Sequence, residues 1–141
     1  DVEAAVSPSV RALLLPKLGG PDHVRLLAEL VDELEAERGM EQGHTLLCAM
    51  IESAGAFLQI DRIAAAHPRV TAIMIGGEDL ALSLGMAPAP ETLLYPKQQS
   101  VIAARAAGIS KPSAPDETIL SIVAAFSISG APSVAPRTRR A

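Results

Sequence analysis

Three continuous apolar runs, each followed by a helix-type pattern, constrain this chain most. Ala12-Leu-Leu-Leu15, Leu46-Leu-Cys-Ala-Met-Ile51 and Val70-Thr-Ala-Ile-Met-Ile75 show no apolar/polar alternation. Strands covered on both faces read in this way. Between the first two runs, Gly19-Gly20-Pro21-Asp22 forms a turn, with Asp22 expected to cap the helix that follows. From His23 to Arg38, Val24, Leu27, Val31 and Leu34 recur at steps of three and four, and Gly39 closes the pattern. Glu29, Asp32, Glu33 and Glu35 are expected on its solvated face. Phe57, Ile60, Ile63 and Ala64 mark short helical segments before the third run. Asp79 to Gly85 reads as a short helical turn. Glu91 to Ala107 reads as a helix interrupted or restarted near Pro96 and stopped by Gly108.

Strand, helix, strand, helix, strand, helix implies parallel strands joined by right-handed crossovers. Three units are too few to close a barrel, which needs eight strands and about 250 residues. An open three-layer sheet, or part of a barrel, is expected. The core must be aliphatic, because the chain has no Trp, one Tyr and two Phe. This disfavours a sandwich built around an aromatic centre. Ser110–Pro115 reads as a loop, and Thr118–Ile128 as one further strand or helix. The domain is therefore placed at 1–128, and the Pro/Ser/Arg-containing stretch 129–141 is expected to be disordered.

The chain has 141 residues and a formal net charge of −4, which argues against a general nucleic-acid binder. No apolar run reaches the 18 residues of a membrane span. One cysteine, Cys48, excludes an internal disulfide and a Cys-based zinc site, and it is expected in the core. A cytoplasmic setting is expected. The first residues, Asp-Val-Glu-Ala, lack both Met and a basic leader, and read as the interior of something longer.

Ligands of parallel β/α folds bind at the C-terminal ends of the strands. The residues there are Lys17, Glu52, Glu78 and Asp79. Glu52 and Asp79 lie about one β/α unit apart, which places both carboxylates on one rim, about 4–7 Å from each other and able to share one ion with Mg–O distances near 2.1 Å. Two carboxylates, with remaining positions filled by water and substrate oxygens, suit Mg²⁺. Glu78, next to Asp79, is expected to point away from such an ion if the backbone is extended there. His23, His44 and His67 are scattered and read as surface residues. Lys17 could contact an anionic substrate or merely complete a Pro-Lys turn. Gly76-Gly77 would let a ligand approach the backbone, or form a plain strand-to-helix turn.

Leu14-Leu-Pro-Lys-Leu-Gly with Asp22-His-Val, and Leu47-Cys-Ala-Met-Ile-Glu-Ser-Ala-Gly-Ala, resemble the citrate lyase β-subunit-like proteins of the HpcH/HpaI aldolase family, relatives of malyl-CoA and citramalyl-CoA lyases. Ile63-Ala-Ala-Ala-His-Pro-Arg-Val, Ile75-Gly-Gly-Glu-Asp-Leu-Ala-Leu-Ser-Leu-Gly, and Leu94-Tyr-Pro-Lys with Ala103-Ala-Arg-Ala-Ala-Gly extend the likeness from about Ala12 to Ile109, in order.

The resemblance implies a (β/α)8 TIM barrel of the phosphoenolpyruvate/pyruvate type, of which this chain holds about strands 4 to 6 or 7. It implies a Mg²⁺-dependent carbon–carbon lyase or aldolase acting on 2-oxo acids or 3-hydroxyacyl-CoA thioesters through a metal-stabilised enolate. The family's metal-binding carboxylates fall on Glu52 and Asp79. No Schiff-base lysine is needed, so Lys17 need not be a nucleophile. The family's substrate-binding arginine, in an Arg-Val-Asn-like motif on an earlier strand, has no counterpart here, and Lys111 to Ala141 matches the family poorly. A half-barrel fragment, slow as an enzyme by itself, is the expectation, with homo-oligomers promoted by its exposed edges. The alternatives are a non-catalytic β/α binding module or inactive lyase fragment, and a phosphate-binding domain using Gly19-Gly20 or Gly76-Gly77. The last lacks a GxGxxG or P-loop pattern.

Overall fold

A computed structural model describes residues 2–109. The loop at 110–115, the element expected at 118–128 and the stretch 129–141 lie outside the described residues. Helix α1 (Val2–Ala5) precedes strand β1 (Ala12–Leu15), helix α2 (Pro21–Glu37), β2 (Leu46–Ile51), helices α3 (Ala54–Phe57) and α4 (Ile60–Ala64), β3 (Val70–Ile75), α5 (Gly77–Ser83) and α6 (Pro90–Ala106). The strands form one parallel sheet in the order β1-β2-β3. Helix α2 packs on α4, and α4 on α6, so consecutive crossover helices lie side by side along one face. Sequential parallel strands with neighbouring helices on one face are the repeat from which a β/α barrel is built.

The helix-facing rows are Leu13-Leu47-Val70, Leu15-Ala49-Ile73 and Ile51-Ile75. They meet Val24, Ala28, Val31, Ile60 and Ile63 in the core. The register slips between Leu47, opposite Val70, and Cys48, opposite Ala72. Thr71 is thus the extra residue of a bulge, which moves Ile73 and Ile75 onto the helix side. The opposite face carries Leu14-Cys48-Ala72 and Met50-Met74. Of these only Cys48 is buried; the rest are half-buried. The continuous apolar runs therefore have one face covered by helices and a second covered only partly by the described residues. Burial alone pushes the Cys48 thiol up to about 11, consistent with a core residue rather than a nucleophile.

Several boundaries differ from the sequence expectation. Gly20, not Asp22, is the N-cap of α2, because Pro21 supplies the locked φ of the first helical position and takes the start of the helix two residues earlier. Asp22 instead pairs with Arg25, three residues on. Helix α6 runs unbroken through Pro96, whose buried ring packs inward while only one backbone hydrogen bond is forfeited.

The acidic face of α2 holds the largest correction. Glu35 is 0% exposed. It continues the buried series Val24, Ala28, Val31 at the next step of four, so it sits on the core stripe rather than the solvated one. Its Oε1 accepts from the Thr45 N–H at 2.6 Å and its Oε2 from the Gly43 N–H at 2.8 Å. Arg69, 5% exposed, donates Nη1 to Oε1 at 3.0 Å and Nη2 to Oε2 at 2.6 Å. Arg69 also donates Nε to Asp32 Oδ1 at 3.0 Å and Nη1 to the Thr45 carbonyl at 2.8 Å. One guanidinium thereby ties the end of α2 to the starts of β2 and β3.

Burial pushes the Glu35 carboxyl up, but Arg69 and the two backbone N–H groups outweigh it and hold it at about 2, against an ordinary 4.5. A depressed folded value contributes stability above pH 4.5 that is lost as pH falls toward 2. The shift corresponds to about 3 kcal/mol. Urea unfolding at pH 7, 4.5 and 3 is expected to show the loss beginning below 4.5. Glu35→Gln is expected to be less stable than the parent at pH 7, and to show a shallower acid dependence.

Candidate active site at the C-terminal rim

Glu52 is the first residue after the central strand and is half-buried. Its side chain spans the ends of both neighbouring strands. On one side Oε2 accepts from the backbone N–H of Lys17 at 2.6 Å. Lys17 holds φ 53, and is the one non-glycine residue with positive φ among the described residues. A lysine in this left-handed region costs roughly 1–2 kcal/mol, and the strained turn coincides with the N–H that meets Glu52. On the other side Glu52 lies against Gly76. A Cβ placed there would sit 2.5 Å from Glu52 Cγ and 3.1 Å from Oε1. Only glycine leaves room for this carboxylate.

Asp79 lies in the first turn of α5, three residues after its N-cap, Gly76. The helix begins at Gly77 rather than Asp79, because Gly76 accepts the Leu80 N–H at 2.9 Å and closes the first turn. Glu78 and Asp79 are therefore helical and not extended, and their side chains diverge by about 100° rather than pointing to opposite faces. Both are exposed, and both sit where the helix dipole favours negative charge. Ser83 at the end of α5 accepts the Ala54 N–H at 3.0 Å, and Ser53 caps α3 by accepting the Ala56 N–H at 3.2 Å. The loop carrying Glu52 is thus tied to the helix carrying Asp79.

Glycines 76 and 77 make room for the protein's own side chains. A Cβ at Gly77 would meet Leu93 Cδ1 at 2.7 Å. Packing therefore accounts for both glycines without a bound phosphate. The Lys17 ammonium is exposed at the same rim, while its backbone does the structural work. The histidines take other partners: His23 Nδ1 accepts the Gly19 N–H at 3.4 Å, His44 Nδ1 meets Arg11 Nη1 at 2.9 Å, and His67 Nδ1 accepts the Arg69 N–H at 3.2 Å. His23 is exposed, but His44 and His67 are half-buried rather than on the surface, each drawn in beside the start of a strand. A cavity of about 410 Å³ lies at the opposite end of β3, beside His67, Val70 and Ala107–Ile109, and takes no part in this rim.

Among the described residues no group of three or more His, Cys, Asp and Glu converges on one point. The acidic residues at this rim, Glu52, Glu78 and Asp79, offer carboxylate oxygens and no imidazole or thiolate. A hard cation that keeps several waters fits such a donor set, and zinc does not.

A family model described as HpcH/HpaI aldolase/citrate lyase matches residues 1–120. The chain belongs to this family. It is 33% identical over 111 residues to the citrate lyase subunit beta of Haemophilus influenzae, covering 77% of this chain and 38% of that protein. It is 36% identical over 81 residues to an L-malyl-CoA/beta-methylmalyl-CoA lyase of Rhodobacter capsulatus, covering 57% of this chain and 25% of that enzyme. The chain therefore spans well under half the length of either relative. Among solved structures, RipC from Yersinia pestis superposes with a TM-score of 0.60 at 27% identity, over 86% of this chain and 54% of that one. A Mycobacterium tuberculosis protein of the same fold, in complex with magnesium and acetoacetate, gives 0.53 at 23% identity, over 71% and 38%.

Proposed function

We propose that this chain carries the metal-binding rim of a Mg²⁺-dependent carbon–carbon lyase, with Glu52 and Asp79 as the protein ligands of one ion. Its three strands would correspond to strands 4 to 6 of an eight-stranded barrel. The observation that carries the reading is Glu52 itself, a half-buried carboxylate at the end of the central strand, gripped by the Lys17 N–H and accommodated by Gly76. The proposed substrate class is a 2-oxo acid or a 3-hydroxyacyl-CoA thioester; the relatives named malyl-CoA lyases support the thioester.

When bound, Mg²⁺ would supply positive charge for the oxygen that becomes anionic as the carbon–carbon bond breaks. The chain's own residues set the site. The Lys17 N–H fixes Oε2 of Glu52, and Oε1, beside Gly76, would be the oxygen offered to the ion. Asp79, on the first turn of α5, brings the second carboxylate from the adjacent unit. The Lys17 ammonium adds a point charge for a carboxylate or thioester oxygen but cannot form the bidentate fork of an arginine. If no arginine completes the site, turnover is expected to be about 10²–10³-fold below that of a full-length family lyase. The assay uses malyl-CoA and citramalyl-CoA with Mg²⁺. Slow cleavage that stops with EDTA and in Glu52→Gln is the expected result. Cleavage unaffected by EDTA would contradict the reading. A complete lack of cleavage together with normal metal binding would favour the binding-module alternative.

A further inference from the structure

The outward face of α6 carries an apolar stripe that the described residues leave uncovered. Leu94, Tyr95, Val101 and Ile102 are 55%, 63%, 61% and 61% exposed. The buried residues of the same helix, Leu93, Pro96 and Ala103, lie on its other side. The stripe has an internal symmetry. Leu94 and Ile102 lie four residues to either side of Gln98, Tyr95 and Val101 lie three, and Glu91 and Arg105 lie seven. Offsets of three, four and seven share one helix face.

We propose that α6 pairs with α6 of a second copy of this chain, antiparallel, about a two-fold axis at Gln98. Such an isologous contact places each residue opposite its mirror position. Leu94 then meets Ile102 of the second copy, Tyr95 meets Val101, and Glu91 meets Arg105 at both ends. The two Gln98 amides face each other across the axis and can hydrogen-bond reciprocally. A parallel pairing would set Glu91 against Glu91 and Arg105 against Arg105. Charge therefore selects the antiparallel arrangement. Phe57 packs edge-on against Tyr95, with ring centroids 5.8 Å apart, and steadies the ring from the α3 side. The proposal does not depend on the metal site and survives its failure.

The test is cysteine cross-linking of the full chain, read beside sedimentation. Cys48 is buried and so gives little background. Gln98→Cys is expected to form a disulfide-linked dimer under mild oxidation. Glu91→Cys is not, because the two copies of position 91 would lie roughly 20 Å apart along the paired helices. In sedimentation, Leu94→Glu with Ile102→Glu is expected to give a monomer. Glu91→Arg and Arg105→Glu are each expected to weaken the dimer about tenfold or more, and together to restore it. These positions are exposed, so the variants leave the core intact. A parent chain that stays monomeric, equal cross-linking at 91 and 98, or charge reversals that do not rescue each other would each overturn the proposal.

Discussion

Replacement of Arg69 by Met is expected to lower the unfolding free energy by about 3–5 kcal/mol, the range for removing one partner of a buried ion pair. The loss arises less from the missing attraction than from the charge left behind. Glu35 is fully buried, and without the guanidinium its carboxylate keeps only the N–H groups of Gly43 and Thr45. Asp32 and the Thr45 carbonyl lose partners in the same step. Urea denaturation followed by circular dichroism measures the change. Arg69→Met combined with Glu35→Met should recover much of the loss, since an apolar pair of similar volume can replace a buried salt bridge. A loss below about 1 kcal/mol, the scale of a surface ion pair, would mean that the cluster is solvated and that Glu35 is not a core residue.

Gly76→Ala is expected to separate folding from metal binding. The glycine has φ −78, a value any residue adopts, so its backbone raises no objection to alanine. The difficulty is the methyl group, placed 2.5 Å from Glu52 Cγ. Glu52 must leave its position and give up the Lys17 N–H. Overpacking of this kind costs about 1–3 kcal/mol in stability. Divalent-cation affinity is expected to fall at least tenfold, about 1.4 kcal/mol. Gly77→Ala is the matched control. There the methyl meets the tip of the Leu93 side chain, so stability should fall while cation affinity is retained. Calorimetric titration with Mg²⁺ distinguishes the two. Equal cation affinities for both variants would show that the glycine does not serve Glu52.

The strands were legible because continuous runs of Leu, Ile, Val, Ala and Met read directly as a parallel sheet, and the observed β3, Val70–Ile75, coincides with its run. Helix α2 was legible from its periodicity, and Gly39, with φ 63, ends it as expected. Glu35 was misread because charge was weighed above position. The series Val24, Ala28, Val31 pointed straight to it, but the Arg69 that neutralises it lies 34 residues away, and no local pattern connects the two. The start of α5 was misplaced for a related reason. Two adjacent glycines read as a loop, whereas both owe their small size to neighbours distant in sequence, Glu52 and Leu93. The bulge at Thr71 left no sequence signal, since register is a property of the pair of strands. The strand-end positions of Glu52 and Asp79 were legible from the apolar runs that precede them. The hydrogen bond that orients Glu52 comes from a backbone N–H, which no side-chain pattern could reveal.

The central claim is that Glu52 and Asp79 together hold one divalent cation. Titration with Mn²⁺ followed by electron paramagnetic resonance, with Mg²⁺ as competitor, tests it most directly. One site per chain is predicted, displaced by Mg²⁺ and weakened about tenfold or more by either Glu52→Gln or Asp79→Asn, each of which removes a charged oxygen ligand. Glu78→Gln should change the affinity far less. Binding by Glu52→Gln as tight as by the parent chain, or equal losses in Glu78→Gln and Asp79→Asn, would contradict the assignment.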